Sequence, residues 1–309
     1  MRALAALALA ALAACAAPPP PPDPEPVPRA RPAAPAAAPG PSAASRAAAA
    51  YYRDIRDRRL AQGLLRVDGG AGVPFDAGDL IANFERIALF SEYDLVAGRY
   101  VASQVQARLR RWDQPVRVQM HFGASVSAED RQQDRARVRA LLGRIRAATG
   151  HPVALVERGG NYHVFVVSLD EQAALAPALL DVRPTLSRDL AREITTRPRS
   201  TFCANYAFPS RANPSVYDGS IALIRSEHPD LMRLACYHEE LAQGMGLPND
   251  SPAARPSIFN EDDQFATLTR HDEMLLRILY DDALRPGMTP EQARPVVARI
   301  ANGLRAGPS

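Results

Sequence analysis

The sequence comprises 309 residues, of which 47% are hydrophobic and 23% are charged, a composition typical of a folded protein with a sizeable core. All 37 basic residues are arginine, which excludes the lysine of a P-loop and any Schiff-base lysine. The net charge is only +3 and the arginines alternate with acidic residues, so the sequence does not favour a nucleic-acid partner.

The first fifteen residues have the pattern expected of an export signal. Met1-Arg2 is followed by an Ala/Leu run over residues 3–14, which is too short to span a hydrocarbon core of about 30 Å. The run ends in Leu-Ala-Ala-Cys at residues 12–15, which resembles the lipobox of bacterial lipoproteins, where cleavage leaves an acylated cysteine. We expect a signal peptide over residues 1–14 and lipidation of Cys15. An ordinary secretory signal with an incidental cysteine is the alternative.

A Pro/Ala tether follows Cys15. Twelve of the 28 prolines lie within residues 18–41, which favours an extended polyproline II spacer over residues 15–44. Because Ala16 and not an aspartate follows the cysteine, the lipobox resemblance implies the periplasmic face of the outer membrane in a bacterial cell envelope. The membrane, reached through acyl chains, is therefore an expected partner.

Cys203 and Cys236 remain once Cys15 is assigned to the anchor. An even pair of cysteines in an exported domain favours a disulfide bond. The bond would close a loop of about 33 residues and contribute roughly 3–4 kcal/mol. Two buried thiols are the alternative.

Residues 45–112 are predicted to form a helical region. Helices are expected over residues 45–65, 79–93 and 98–111, with Leu80 and Phe84 on one apolar face of the second. Gly-Gly-Ala-Gly at residues 69–72 separates the first two.

Residues 113–309 are predicted to form an α+β domain. Residues 115–122 alternate apolar and polar side chains as a half-buried strand does, and a long helix follows to residue 148. Two short strands over residues 153–157 and 162–168 are expected to be joined as a hairpin, before an irregular insertion over residues 171–209. Further elements are expected at 220–225 (strand) and at 229–245, 272–284 and 290–304 (helices), with Gly246 as the C-cap of the first helix. This order predicts a small mixed sheet with helices on one side.

The segment from Cys236 to Asp250 carries the densest candidate chemistry. His238-Glu239 matches the first two residues of the zinc motif H-E-x-x-H, but Ala242 occupies the position of the second histidine. His238 itself is predicted to pack on the apolar stripe of its helix.

A shift of one residue gives a better fit to the metzincin motif H-E-x-x-H-x-x-G-x-x-H. With Gly246 on the motif glycine, Glu239 takes the place of the first histidine and Glu240 that of the catalytic glutamate. Gln243 and Asn249 then take the places of the second and third histidines. The resemblance covers residues 115–280 and implies a metzincin-like scaffold that lacks all three zinc histidines.

The sequence carries two further resemblances. Ser-Ile-Phe-Asn at residues 257–260 resembles the Met-turn of metzincins, with Phe259 in place of the methionine. The chain also resembles a bacterial family catalogued as a domain of unknown function (number 2927). The matching segments are DLIANFERIA (79–88), HEELAQ (238–243), GLPND (246–250), SIFNEDD (257–263) and HDEMLLRILYD (271–281). This resemblance implies a fold and no established activity.

Three interpretations of the motif stay open. Glu239 and Gln243 are spaced i, i+4 and share a helix face, and Asn249 is expected to return to them after a turn. In the first two interpretations these residues form a metal-free polar network or a weak site for a divalent cation that prefers oxygen ligands. In the third, Glu239 and Glu240 form a metal-free acid/base pair. We expect no firmly bound cofactor.

Three functions follow from these interpretations. The first is a lipid-anchored envelope protein whose degenerate cleft binds protein or peptide without cutting it. The second is an atypical hydrolase that uses Glu240 as general base. The third is a purely structural envelope lipoprotein.

Overall fold

The computed structural model describes residues 40–96, 99–260 and 262–304, with the backbone alone over residues 92–96 and 99–104. The predicted signal peptide and Cys15 lie outside the described residues. Nine helices and two β-sheets lie within them. None of the helices in this part of the chain is both long enough and apolar enough to cross a membrane.

Seven of the nine described helices begin after a residue whose side chain caps the first turn, and the helices vary widely in length. Ser42, Asp76, Ser127 and Thr269, for example, each accept a hydrogen bond from a backbone N–H of the first turn. The helices are α1 (Ala43–Ala61), α2 (Ala77–Ala88), α3 (Ala128–Thr149), α4 (Leu169–Gln172), α5 (Ala176–Val182), α6 (Arg188–Thr195), α7 (Asp230–Gln243), α8 (Arg270–Leu279) and α9 (Pro290–Gly303).

The main sheet has five strands in the order β4-β3-β5-β7-β6. The first four pair in parallel and β6 pairs antiparallel to β7 at the edge, so the fold is mixed α/β with a mostly parallel sheet. The strands are β3 (Val116–Phe122), β4 (Val153–Leu155), β5 (Tyr162–Val167), β6 (Cys203–Pro209) and β7 (Tyr217–Arg225).

Helices cover both faces of this sheet, where the sequence predicted one. Alternate residues of a strand point to opposite faces, and every residue of β5 is buried. Val164 and Val166 face the larger core with residues of α2, α3, α7, α8 and α9, while Phe165 and Val167 face a smaller core with residues of α5 and α6. The predicted irregular insertion supplies this second layer.

The helix predicted over residues 98–111 is wrong. β1 (Phe90–Val96) and β2 (Arg99–Gln106) pair antiparallel as a separate two-stranded sheet, and α2 ends at Ala88. The segment Arg-Tyr-Val-Ala-Ser-Gln-Val-Gln at residues 99–106 contains aromatic and β-branched residues that favour a strand.

The hairpin predicted between β4 and β5 is also wrong. β4 pairs with the first half of β3, and β5 pairs with the second half on the other side, both in parallel. The chain therefore crosses β3 within the short loop of residues 156–161. Asn161 secures the crossing, because its side-chain oxygen accepts from the Arg117 backbone N–H at 2.7 Å and its own N–H donates to the Arg117 carbonyl at 3.0 Å.

The end of α7 differs from the prediction by two residues. The C-cap is Gly244 and not Gly246. A Cβ atom on Gly244 would lie 2.3 Å from the Tyr162 hydroxyl, so glycine lets the helix end approach β5. Gly246 has a φ of +123°, a backbone conformation that glycine alone adopts without strain. The two glycines thus turn the chain away at the end of the candidate site.

Candidate functional site

The candidate site lies between helix α7 and edge strand β6. Cys203 at the start of β6 and Cys236 in α7 form a disulfide bond, with their Cα atoms 5.9 Å apart, as the cysteine count predicted. Cys236, Glu239 and Glu240 are spaced i, i+3 and i+4, so they follow one another along the same side of the helix. The bond therefore fixes β6 beside the two glutamates.

A cleft of about 260 Å³ separates the two elements. Its lining is polar and comes from β6, from α7 and from the loops that flank them. The described residues that line it are Arg197, Thr201, Cys203, Ala204, Asn205, Tyr206, Glu239, Glu240, Gln243, Pro248 and Asp250. Three of the four residues that took the places of metzincin active-site residues in the sequence, Glu239, Glu240 and Gln243, thus share one wall.

A second hollow of about 340 Å³ continues from the first. The two share Thr201, Cys203, Glu239 and Asp250 in their linings, so they form one groove that passes the disulfide bond. At the far end Arg59 of α1 forms an ion pair with Asp263. The groove therefore runs beside the first half of β6 and continues past the start of that strand.

Glu240 is buried where several oxygen atoms meet. The Tyr162 hydroxyl donates to the Glu240 carbonyl at 2.5 Å and lies 3.1 Å from Asn205 Oδ1, which connects α7 to β6 through β5. Burial, and secondly the negative charge of Glu240, raise the pKa of Tyr162 well above its usual value. Burial also raises the pKa of Tyr206 to about 12. Both tyrosines are therefore neutral hydrogen-bonding groups at neutral pH.

The donor atoms do not fit zinc. Among the described residues, Cys203, Glu239 and Glu240 form the one group of three potential ligands whose donor atoms lie within 4.8 Å of one another. The sulfur of Cys203 belongs to the disulfide and is not a thiolate, so two carboxylates remain beside the amide of Gln243. Zinc prefers imidazole nitrogen and thiolate sulfur, whereas this oxygen set suits a harder cation held weakly.

Asn249 does not join this group, contrary to the prediction. Its side-chain amide donates to the Arg86 carbonyl at 2.8 Å, and its backbone N–H donates to the Ile87 carbonyl. The chain beyond Gly246 thus turns towards the end of α2, and Asn249 caps carbonyl groups there.

Phe259 lies in the main core and is fully buried. Its loop is held by Ser257, whose hydroxyl donates to Asp272 at the start of α8 and accepts from the Phe259 N–H at 3.0 Å. Asp272 also accepts from the Ile258 N–H at 3.1 Å. The predicted turn therefore packs against α8 as a structural support.

A family model described as "Protein of unknown function (DUF2927)" matches residues 77–299. The chain belongs to the DUF2927 family. The match runs from the first residue of α2 into α9, so both walls of the cleft lie within it. No curated protein and no solved structure matches the chain.

His238 of this DUF2927 domain is packed rather than exposed to the cleft, as the sequence predicted. Its Nδ1 accepts a hydrogen bond from the Leu268 N–H at 3.0 Å, which directs the ring towards the loop before α8. Burial lowers the pKa of His238 to about 3. His228, whose ring contacts the Phe202 carbonyl at 2.8 Å, has its pKa lowered to about 3 by burial as well.

These two histidines predict that the DUF2927 domain loses stability as the pH falls below about 6.5, the ordinary pKa of an unfolded histidine. Below that pH the unfolded chain binds protons that folded His228 and His238 do not. The expected loss is about 2 kcal/mol for each histidine between about pH 7 and pH 5, since stability falls when the unfolded state binds more protons.

Urea unfolding followed by circular dichroism across this pH range measures the loss. In the variant His238→Gln, a side-chain oxygen still accepts the hydrogen bond from the Leu268 N–H but does not titrate. The loss of stability between pH 7 and pH 5 should therefore be smaller by the contribution of one histidine. An unchanged slope would show that His238 is not buried as a neutral ring.

The sequence did not identify the β6 wall of the site. Arg197, Asn205, Tyr206 and Asp250 line the cleft, and the first three lie within or beside the segment predicted as irregular. Arg197 donates from Nε to the Tyr206 hydroxyl at 2.7 Å and forms an ion pair with Glu193 of α6. The alternation of buried Tyr206 and Phe208 with more exposed neighbours was the one available signal, and it is only seven residues long.

Proposed function

We propose that this chain is a lipid-anchored envelope protein whose degenerate metzincin-like domain binds an extended peptide segment in the groove between β6 and α7. The observation that carries the proposal is the position of β6. It is the edge strand of the main sheet and also one wall of a polar cleft. An extended peptide that pairs with an edge strand gains backbone hydrogen bonds, and pockets beside the strand select its side chains.

Charge indicates which side chains the groove would accept. Among the described residues that line the first cleft, Glu239, Glu240 and Asp250 face a single basic residue, Arg197, which already forms an ion pair with Glu193. This surplus of carboxylates favours a cationic side chain and disfavours an acidic one. We therefore propose that the bound segment carries arginine or lysine opposite the two glutamates.

A binding role without cleavage agrees with the chemistry of the lining. Among the described residues that line the cleft none is a histidine, and the one cysteine is in a disulfide bond. Glu239 and Glu240 could hold a cation or a water, and the described residues that line the cleft beside them include neither an imidazole nor a free thiol. The zinc that the metzincin resemblance implies has no fitting ligand set, so no step is assigned to it.

The anchor is the second part of the proposal. The lipobox resemblance at residues 12–15 supports acylation of Cys15, and the Pro/Ala tether would hold the domain away from the membrane. Mass spectrometry of the protein extracted from a bacterial membrane tests this part, because a diacylglyceryl cysteine adds a known mass that Cys15→Ser removes.

The binding proposal predicts that the groove prefers a peptide with a positively charged side chain, and that substitution of Glu239 or Glu240 reduces this preference. Fluorescence anisotropy would compare short labelled peptides that are identical except for Arg, Ala or Glu at the central position. We expect the arginine peptide to bind tightest, and Glu239→Gln or Glu240→Gln to weaken its binding by about tenfold or more, or about 1.4 kcal/mol.

Glu157→Gln is the matched control, because that carboxylate is exposed in the loop after β4. It should leave affinity unchanged. Equal affinity for all three peptides, or equal loss in the control, would contradict the proposed groove. Retention of no peptide would favour the purely structural role.

A second candidate function rests on the grouping of Glu239 and Glu240 beside Cys203. In that case Glu240 is the general base of an atypical hydrolase and a weakly held cation orients water. The same peptides distinguish the two functions. Mass spectrometry should recover them intact under the binding proposal, and cleavage that Glu240→Gln abolishes would support the hydrolase.

A further inference from the structure

Two histidines meet on the opposite face of the main sheet, away from the cleft. His121 is in β3 and His163 is in the neighbouring parallel strand β5, with Gln119 paired to His163 and His121 paired to Phe165. The register places both side chains on the face opposite Val118 and Val164, which belong to the main core. Nε2 of His121 lies 3.0 Å from Nδ1 of His163.

The two rings are held in place by packing. His121 stacks on Phe165 with ring centroids 4.5 Å apart and planes 13° from parallel. His163 is only 8% exposed, and a hydrogen bond to the Gly160 backbone orients its ring. A backbone carbonyl that accepts the second ring N–H is the usual support of a metal-ligating histidine, since it directs the other nitrogen towards the metal.

We propose that His121 and His163 form a two-histidine site for a divalent transition metal that prefers imidazole, with Cu²⁺ bound most tightly. Metal–nitrogen bonds of about 2.0–2.1 Å that span the observed separation would meet at an angle of roughly 95° at the metal. This angle fits neighbouring positions of the tetragonal geometry of Cu²⁺ or Ni²⁺, and copper stands highest in the order of divalent affinities. Water would fill the other positions.

The charges around the pair permit a cation. Burial lowers the pKa of both histidines, that of His163 to about 4. The negative charge of Asp181 in α5 stabilises a positive charge at His121, whereas the positive charge of Arg135 in α3 destabilises it. Among the described residues no carboxylate lies with both rings within ligand distance, so the two imidazoles are the protein ligands of the proposed site.

Copper titration of the untagged protein tests the proposal, with electron paramagnetic resonance to count nitrogen ligands. We expect one strongly bound Cu²⁺ per chain, with hyperfine splitting from two nitrogens. His121→Ala and His163→Ala should each weaken binding by at least about 100-fold, beyond the loss typical of a group that only supports a ligand. His151→Ala should leave affinity unchanged, because His151 lies near Gln114 at the other end of the sheet.

Circular dichroism confirms that each variant is folded, and His121→Gln replaces His121→Ala if that variant does not fold. Copper binding that survives both single substitutions would overturn the proposal. So would the absence of a stoichiometric site with two nitrogen ligands, which would leave His121 and His163 as an ordinary hydrogen-bonded pair.

Discussion

Replacement of Asp134 by alanine is expected to destabilise the domain by about 3 kcal/mol. Asp134 lies in α3 and is fully buried, and it accepts a hydrogen bond from Nε of Arg233 in α7 at 2.9 Å. The Arg233 side chain is only 6% exposed and donates to the His228 carbonyl as well. Without Asp134 the guanidinium stays buried and lacks its most buried partner. This expected loss of stability is at the lower end of the range for a broken buried ion pair, because Asp230 still lies 3.1 Å from Arg233.

Urea unfolding at neutral pH measures this loss. The double variant Asp134→Leu/Arg233→Met is the control, because it removes both charges and fills the space with apolar atoms. It should recover most of the stability, since a buried ion pair replaced by apolar residues of similar volume is often neutral. A double variant as unstable as Asp134→Ala would show that lost packing, and not the uncompensated charge, causes the effect.

Removal of the disulfide bond has the other large expected effect. Cys203 and Cys236 are separated by 33 positions, and in the chain-entropy account such a loop contributes about 3–4 kcal/mol. Cys203→Ser/Cys236→Ser should lose this amount and should also weaken peptide binding, because the bond fixes β6 beside Glu239.

Wild-type protein with and without dithiothreitol provides the matched comparison for that variant. Reduction should reproduce the loss of stability in the wild type and leave the double serine variant unchanged. A loss below about 1 kcal/mol would show that packing alone fixes β6 against α7.

Elements with a strong local pattern could be predicted from the sequence. α3 has a serine N-cap, a regular apolar stripe and Gly150 at its end, and it was placed within two residues. β3 alternates apolar and polar side chains and was also placed correctly. The hairpin of β1 and β2 was missed because its residues also fit a helical spacing, and cross-strand pairing decides between the two.

The residues of the candidate site could likewise be predicted only in part from the sequence. Glu239, Glu240 and Gln243 share one helix, so local spacing brings them together. The partner of Asn249 depends on where the loop after Gly246 packs, and the end of α2 provides it. Arg197 and Tyr206 reach the cleft only because β6 pairs antiparallel with β7, a contact made across the sheet that no local pattern encodes.

The measurement that tests the central claim most directly is hydrogen–deuterium exchange with and without the arginine peptide. Pairing of an extended peptide with β6 should slow exchange of backbone amides over residues 203–209, with a smaller effect on α7. Glu157→Gln should show the same protection, and Glu239→Gln should show less. Protection that appears elsewhere, or none at peptide concentrations that saturate binding, would contradict a binding groove between β6 and α7.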